Sequence, residues 1–345
     1  MTTGDTHGLF SAEIAHDAAI GSTVATLSYT DRKDAVRTIS VGIAPELGSN
    51  MFRFRVGEHD LIYCDQQLLQ RRDFTGNFVL WPLPNRVRER RYSYQGKTYS
   101  LETLKKEKRP QGNAVLIHGL VFDRAWQYCQ PVVSQDSVSV TTYVDITPDT
   151  PFYAAYPFAS RLSLTYTLTK NGVTITYHVE NTGESSLPFG FALHPYFATL
   201  SGKSETRVSI PARAVMEADE DLLPTGRALD VATVMYAMFD LCQPVPVGNL
   251  KLDHVYTQLH PREHAVIDYR QQNMSLHISA SDDFTHVVIF TPTTEPYVCL
   301  EHQTCATDAI NLYNQGPERR EMAHLLEVGA GESYSGSISY AIHYR

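Results

Sequence analysis

The sequence is poor in the features that mark several large protein classes. Its five cysteines, Cys64, Cys129, Cys242, Cys299 and Cys305, are scattered and odd in number, with no Cys-x-x-Cys pair among 345 residues. That usage fits a reducing compartment and argues against a disulfide framework. No apolar run approaches the ~20 residues that carry a helix across a bilayer. The start, Met1 to His7, has neither the basic flank nor the apolar centre of a secretory leader. The expectation is a cytoplasmic protein that does not enter membranes. Positive charge is in deficit, with 29 Lys and Arg against 38 Asp and Glu and a formal net charge of −9. Nucleic-acid binding relies on clustered cations that displace phosphate counterions, so no nucleic-acid partner is expected. One basic run, Arg86 to Arg91, holds four arginines; Arg88, Arg90 and Arg91 read as a solvated strand and turn, with Arg86 set apart below. Repeats, low-complexity stretches, linkers, phosphate loops and dinucleotide fingerprints are all missing.

What is present is β-forming material. Hydrophobic residues make up 43% and charged residues 19%, enough apolar chain for a large core, and 20 Tyr and 14 Phe favour strands. Leu162, Leu164, Tyr166 and Leu168 alternate with polar neighbours, and Val173, Ile175, Tyr177 and Val179 repeat the pattern after Asn171-Gly172. This period-two pattern around a favoured turn pair predicts a β-hairpin with one face on the core. Similar short runs occur at 36–43, 52–56, 136–144, 207–210, 274–280, 286–291 and 336–344, divided by Gly, Pro, Asn and Asp clusters. Helical periodicity is scarce, and 229–239 is the best short candidate. The predicted fold is all-β: a large antiparallel β-sandwich with few short helices, forming a single domain over residues 1–345.

Two motif matches carry little. His260-Pro-Arg-Glu-His264 fits an inverted zinc-protease pattern, which needs both histidines on one helix face. Pro261 and the following Val266-Ile-Asp-Tyr269 read instead as a turn entering a strand. Gly331-Glu-Ser-Tyr-Ser335 lacks the second glycine of a nucleophile elbow and reads as the turn before the last strand. No metal site is therefore expected.

Several polar residues stand in apolar or aromatic company. Glu301 ends Pro296-Tyr-Val-Cys-Leu-Glu301, and His194 lies in Phe189-Gly-Phe-Ala-Leu-His194-Pro-Tyr-Phe197, where Pro195 favours an extended His194. His118 follows Ala114-Val-Leu-Ile, Asp253 follows Leu250-Lys-Leu, and Asn85-Arg86 follow Leu80-Trp-Pro-Leu-Pro. Each alone has a plain structural reading: a strand-end His is commonly a hydrogen-bonded framework residue, and a strand-end carboxylate is commonly just exposed.

Taken in order, these segments resemble the aldose 1-epimerases, or galactose mutarotases. The resemblance runs from about residue 40 to the C-terminus. It is carried by Leu80-Trp-Pro-Leu-Pro-Asn-Arg86, Tyr92-Ser-Tyr-Gln-Gly96 with Tyr99, His118-Gly119, Trp126 and His194-Pro-Tyr-Phe197. Leu223-Pro-Thr-Gly226, Phe239-Asp240, Leu252-Asp253 and Glu301 complete it. The resemblance implies a galactose mutarotase-like supersandwich with the sugar in a cleft across one sheet. It implies Glu301 as base and His194 as acid, and sugar contacts from Arg86, His118 and Asp253. Asn85 joins these through the shared motif, and Trp81 or Trp126 is expected to pack on an apolar sugar face. The implied partner is a small-molecule sugar such as galactose or glucose, bound by a monomer or homodimer without cofactor.

The chemistry suits these residue types. A cyclic aldose is a hemiacetal, so opening it removes the C1 hydroxyl proton and protonates the ring oxygen. A carboxylate and an imidazole have ordinary pKa values near ~4.3 and ~6.5, which suits them to exchange a proton near neutrality. Each well-placed group contributes roughly 10²–10⁴ in rate. One departure stands out: His302 follows Glu301 where the family often has Pro. Three other readings share the residues: a hexose-6-phosphate 1-epimerase, a non-catalytic carbohydrate-binding or regulatory protein on the same fold, and a glycoside hydrolase using Glu301 and Asp253. The paired retention of Glu301 and His194 favours the epimerase. An alternating strand would place at most two further arginines, Arg88 and Arg90, on the face of Arg86, with Glu89 partly offsetting their charge, which favours a free sugar over a sugar phosphate.

Overall fold

The period-two patterns become strands whose alternation matches the burial alternation. In the computed structural model, which describes residues 8–104 and 115–345, Ser160–Thr169 buries every second residue from Ser160 to Leu168. Gly172–Asn181 pairs antiparallel with it. Their apolar side chains face Val79, Trp81, Leu193, Phe197, Val287, Ile289, Val298 and Leu300 from a second sheet, and all belong to one core cluster. Fully burying one such Leu or Val contributes about 2 kcal/mol, so the two sheets are held mainly by this shared apolar layer.

The larger sheet has ten strands and is centred on Val138–Ile146, Ser160–Thr169, Gly172–Asn181, Ser333–Tyr344 and Met274–Ala280. The second has seven, in the order Pro224–Asp230, Ala212–Ala218, Asp253–Leu259, His286–Phe290, Tyr297–Gln303, Ala192–Ala198 and Asn77–Leu80. With helices among the described residues confined to short pieces such as Gln66–Gln70, Ala309–Leu312 and Pro317–Ala323, the all-β sandwich is the observed architecture.

Three details differ from the sequence reading. The hairpin turn sits one residue early: Thr169 pairs with Gly172, leaving Lys170 and Asn171 as the turn. Gly172 is instead the first strand residue, at φ 144, where an added Cβ would lie 2.0 Å from the Tyr340 carbonyl oxygen. The chain needs glycine there for close approach of strands. Residues 229–239 do not form one helix; the strand Pro224–Asp230 runs into them, and a 3-10 segment covers Val234–Phe239. The start of the chain, unassigned from sequence, forms a hairpin of Gly8–Asp17 and Ser22–Asp31. That hairpin opens a five-stranded sheet continued by Ile39–Ala44, Asn50–Val56 and His59–Asp60. His260 and His264 lie between the strands ending at Leu259 and starting at Ala265, in the turn context their neighbours indicated.

Candidate active site

Strand register builds the centre of the site. Ala192 pairs with Gln303 and Tyr196 with Cys299, which sets His194 directly across from Glu301 on the same face of the seven-stranded sheet. His194 Nε2 lies 3.1 Å from Glu301 Oε1. On its other side the strand Asn77–Leu80 pairs His194 with Phe78, and the Phe78 ring stacks on the imidazole at 4.7 Å and 18°. Tyr196, two residues along, stacks on it at 5.0 Å and 19°. Both aromatic rings pack against the imidazole, and their own centroids are 6.2 Å apart. Gln303, two residues beyond Glu301, donates from Nε2 to Glu301 Oε2 at 3.2 Å and leaves Oε1 to His194.

Asp253 reaches the same face through the next strands. It pairs with Phe290, which pairs with Cys299, one row from the His194–Glu301 pair. The opposite wall comes from a short ladder, Arg86–Val87 against Leu116–Ile117. Asn85, His118 and Gly119 take φ of 58°, 65° and 74°, a run of left-handed backbone that folds both segments inward. The His118 amide donates to the Asn85 carbonyl at 2.7 Å. Arg86 donates from Nη1 to Asn85 Oδ1 at 2.8 Å and has Nη2 3.7 Å from Asp253 Oδ2. His118 meets the His194 ring edge-on at 4.9 Å, and its Nδ1 has no hydrogen-bond partner in the protein.

The site is dry. Glu301 is 2% and His194 5% exposed, while the Asp253 side chain is open to solvent by a third. Burial lifts the Glu301 carboxyl well above the usual range, with the Asp253 charge adding to it. Burial also draws His194 and His118 well below the usual imidazole range, and the Arg86 cation adds to both. Both shifts favour uncharged forms, so the pair holds one proton in total.

The structure therefore brings together Glu301, His194, His118, Asn85, Arg86 and Asp253. It does not bring Trp126, which is 3% exposed, packs in the main core and donates its indole N–H to the Val121 carbonyl at 3.1 Å. Trp81 is likewise wholly in the core. Neither presents a face to a sugar, because both indoles serve the sheet-to-sheet packing. Arg88 and Arg90 do not share the face of Arg86 either. A 3-10 turn over Arg88–Arg90, with Glu89 and Arg90 at φ of 52° and 53°, interrupts the alternation. Arg88 is 3.1 Å from Asp219 and 3.6 Å from Asp308, and the Arg90 guanidinium is spent on the carbonyls of Leu101, Glu102 and Leu104. Sequence reasoning missed the roles of Gln303, Phe78 and Tyr196. Gln303 had a legible signal, since a strand puts it on the face of Glu301.

The fold is that of the galactose mutarotase-like proteins. The aldose 1-epimerase profile matches residues 39–341, and the chain belongs to that family. It is 26% identical over 235 residues to the uncharacterized Escherichia coli protein YihR, spanning 68% of this chain and 71% of that one. It is 27% identical over 237 residues to human galactose mutarotase, 66% of this chain but only 57% of that enzyme. Among solved structures, a galactose mutarotase-like protein from Clostridium acetobutylicum superimposes with a TM-score of 0.80 at 19% identity, covering 98% and 99% of the two chains. A putative aldose 1-epimerase from Escherichia coli K12 gives 0.69 at 22% identity, covering 89% and 96%. No helix among the described residues is long and apolar enough to cross a membrane.

Proposed function

We propose that this protein is an aldose 1-epimerase that interconverts the α and β anomers of a free aldose. The observation that carries this reading is the buried contact of 3.1 Å between His194 and Glu301. A hemiacetal opens when one group takes the C1 hydroxyl proton while another protonates the ring oxygen. In this proposal Glu301 is the base and His194 the acid. The charged pair that begins the step holds the same single proton as the neutral pair that burial favours. It forms by moving that proton across the contact, without exchange with solvent. Rotation about C1–C2 then presents the other aldehyde face, and closure reverses the two roles. Arg86, Asn85, Asp253 and the unpartnered Nδ1 of His118 are assigned to the sugar hydroxyls, where charge-assisted hydrogen bonds fix the ring.

The engagement of Arg88 and Arg90 with Asp308, Asp219 and backbone carbonyls supports an unphosphorylated sugar. Neither is available for the bidentate contacts that a 6-phosphate calls for. Polarimetry of freshly dissolved α-galactose, α-glucose and α-glucose 6-phosphate at fixed salt tests both parts. We expect the protein to accelerate mutarotation of a free hexose and to prefer it over the phosphate. No acceleration of any aldose would refute the activity, and a preference for the phosphate would refute only the substrate. The chemistry needs no metal, so activity is expected to survive exhaustive chelation; loss reversed by added zinc or calcium would overturn that.

A further inference from the structure

His302 stands where the family often has Pro, and strand alternation turns it away from the candidate active site. Glu301 and Gln303 face the cleft, whereas His302 lies on the face of Val298 and Leu300, the core side of the same strand. There it lines a cavity of about 670 Å³, within the usual range of small-molecule sites. The cavity opens at one end of the sandwich. Its walls come from the strand Asp253–Leu259 of the seven-stranded sheet and the strand Met274–Ala280 of the ten-stranded sheet, with the helix Pro317–Ala323 at its side.

Two features make this more than a packing gap. His302 is 6% exposed, and its Nδ1 has no hydrogen-bond partner in the protein. His286 shares this feature, since its Nε2 also lacks a partner while its Nδ1 meets Thr285 Oγ1 at 2.9 Å. His324 Nδ1 meets the Thr304 carbonyl at 2.7 Å, and His260 lies 3.6 Å from Glu263. A buried polar nitrogen left unmatched destabilises a fold unless something meets it. The second feature is charge. Glu263, Asp282, Glu318 and Glu321 line the cavity against Arg262 alone among Lys and Arg. Burial pushes His302 down to about 4 and His286 down to about 3, so neither imidazole offsets that excess at neutral pH. Among the described residues no group of three or more His, Cys, Asp or Glu is placed to hold a metal ion.

We propose that this cavity is a second binding site, distinct from the sugar cleft, for a small organic cation bearing a primary amine. An ammonium group has three donors and no acceptor. Carboxylates at the wall take two of them, and the free imidazole nitrogen of His302 takes the third once its untethered ring turns toward the ligand. An anion is repelled by the four carboxylates, and a neutral polyol gains nothing from them.

The test is calorimetric titration of the full-length protein at low ionic strength with 1,4-diaminobutane, and in parallel with butane-1,4-diol, its neutral isostere. We expect saturable binding of the diamine and at least tenfold weaker binding of the diol. Glu318→Gln/Glu321→Gln changes only exposed positions on a surface helix and is expected to weaken the diamine at least tenfold, as is His302→Leu. No saturable diamine binding, equal affinity for diamine and diol, or unchanged affinity in the double glutamine variant each overturns the proposal. The titration contains no sugar, so its result stands apart from that of polarimetry.

Discussion

At the residue scale the His194–Glu301 contact makes the sharpest demands. Glu301→Gln keeps the shape and the Gln303 neighbour but cannot take a proton. It is expected to lower mutarotase turnover by about 10²-fold or more, with sugar affinity nearly intact by calorimetry. Retention of a tenth of the turnover would remove Glu301 as the base. His194→Asn is expected to lower kcat more than His118→Asn, which should act mainly on KM; equal, affinity-only losses would contradict the assignment. The pH profile follows from the shared proton. Burial draws His194 down, so a second proton enters the pair only at acid pH. Burial raises Glu301, so the single proton is held to higher pH than an ordinary carboxyl allows. A broad plateau of kcat/KM spanning neutrality is expected, and a rate that collapses between pH 7 and 6 would contradict it. Glu301 and His194 were legible because a carboxylate and an imidazole ended runs of otherwise apolar residues. Trp126 misled because a motif position does not say which face a ring presents, and that is set by the packing of two sheets far apart in sequence.

At the scale of elements, alternation was legible wherever one face of a strand is buried and the other wet. The runs at 274–280 and 336–344 fall inside the strands Met274–Ala280 and Ser333–Tyr344. The first hairpin was not legible, because Gly8–Asp17 buries only Phe10 fully and so has little pattern to show. The turn at 170–171 shows a subtler limit. Asn171-Gly172 marked the hairpin, but the glycine is demanded by the neighbouring strand rather than by the turn. Gly172→Ala combines φ of 144° with a backbone clash and is expected to cost about 2 kcal/mol or more in urea denaturation, with kcat unchanged below the transition. Gly119→Ala is expected to behave differently. Its Cβ would lie 2.5 Å from the Trp81 carbonyl oxygen, next to His118, so kcat/KM should fall along with stability. Wild-type kcat/KM in a folded Gly119→Ala variant would show that the His118 loop is not positioned by this contact.

At the scale of the molecule, stability should depend on pH through the buried imidazoles. His118, His194, His286 and His302 are held below their ordinary range by burial, the last two at about 3 and 4. Their unfolded forms bind protons near pH ~6.5, so unfolding takes up protons below that value and stability falls as pH drops from about 6.5. Asp308, raised to about 6 by burial, and Glu301, raised likewise, work in the opposite sense: their contribution is full below the unfolded carboxyl pKa and is lost as pH rises through the folded value. Four imidazoles against two carboxyls predicts a melting temperature that declines from pH 7 to pH 5; a rise over that interval would show that the carboxyls dominate. The same scale gives meaning to the register that opposes His194 and Glu301. These two residues are 107 positions apart, and Asn85 and Arg86 lie a further hundred or so upstream. Contacts of such sequence separation close late and slowly. During refolding from denaturant, recovery of mutarotation should therefore lag the return of the far-ultraviolet β signal. Catalysis would then report the last strands to dock rather than the bulk of the sheet, and a fragment ending before residue 301 should be inert however much sheet it retains.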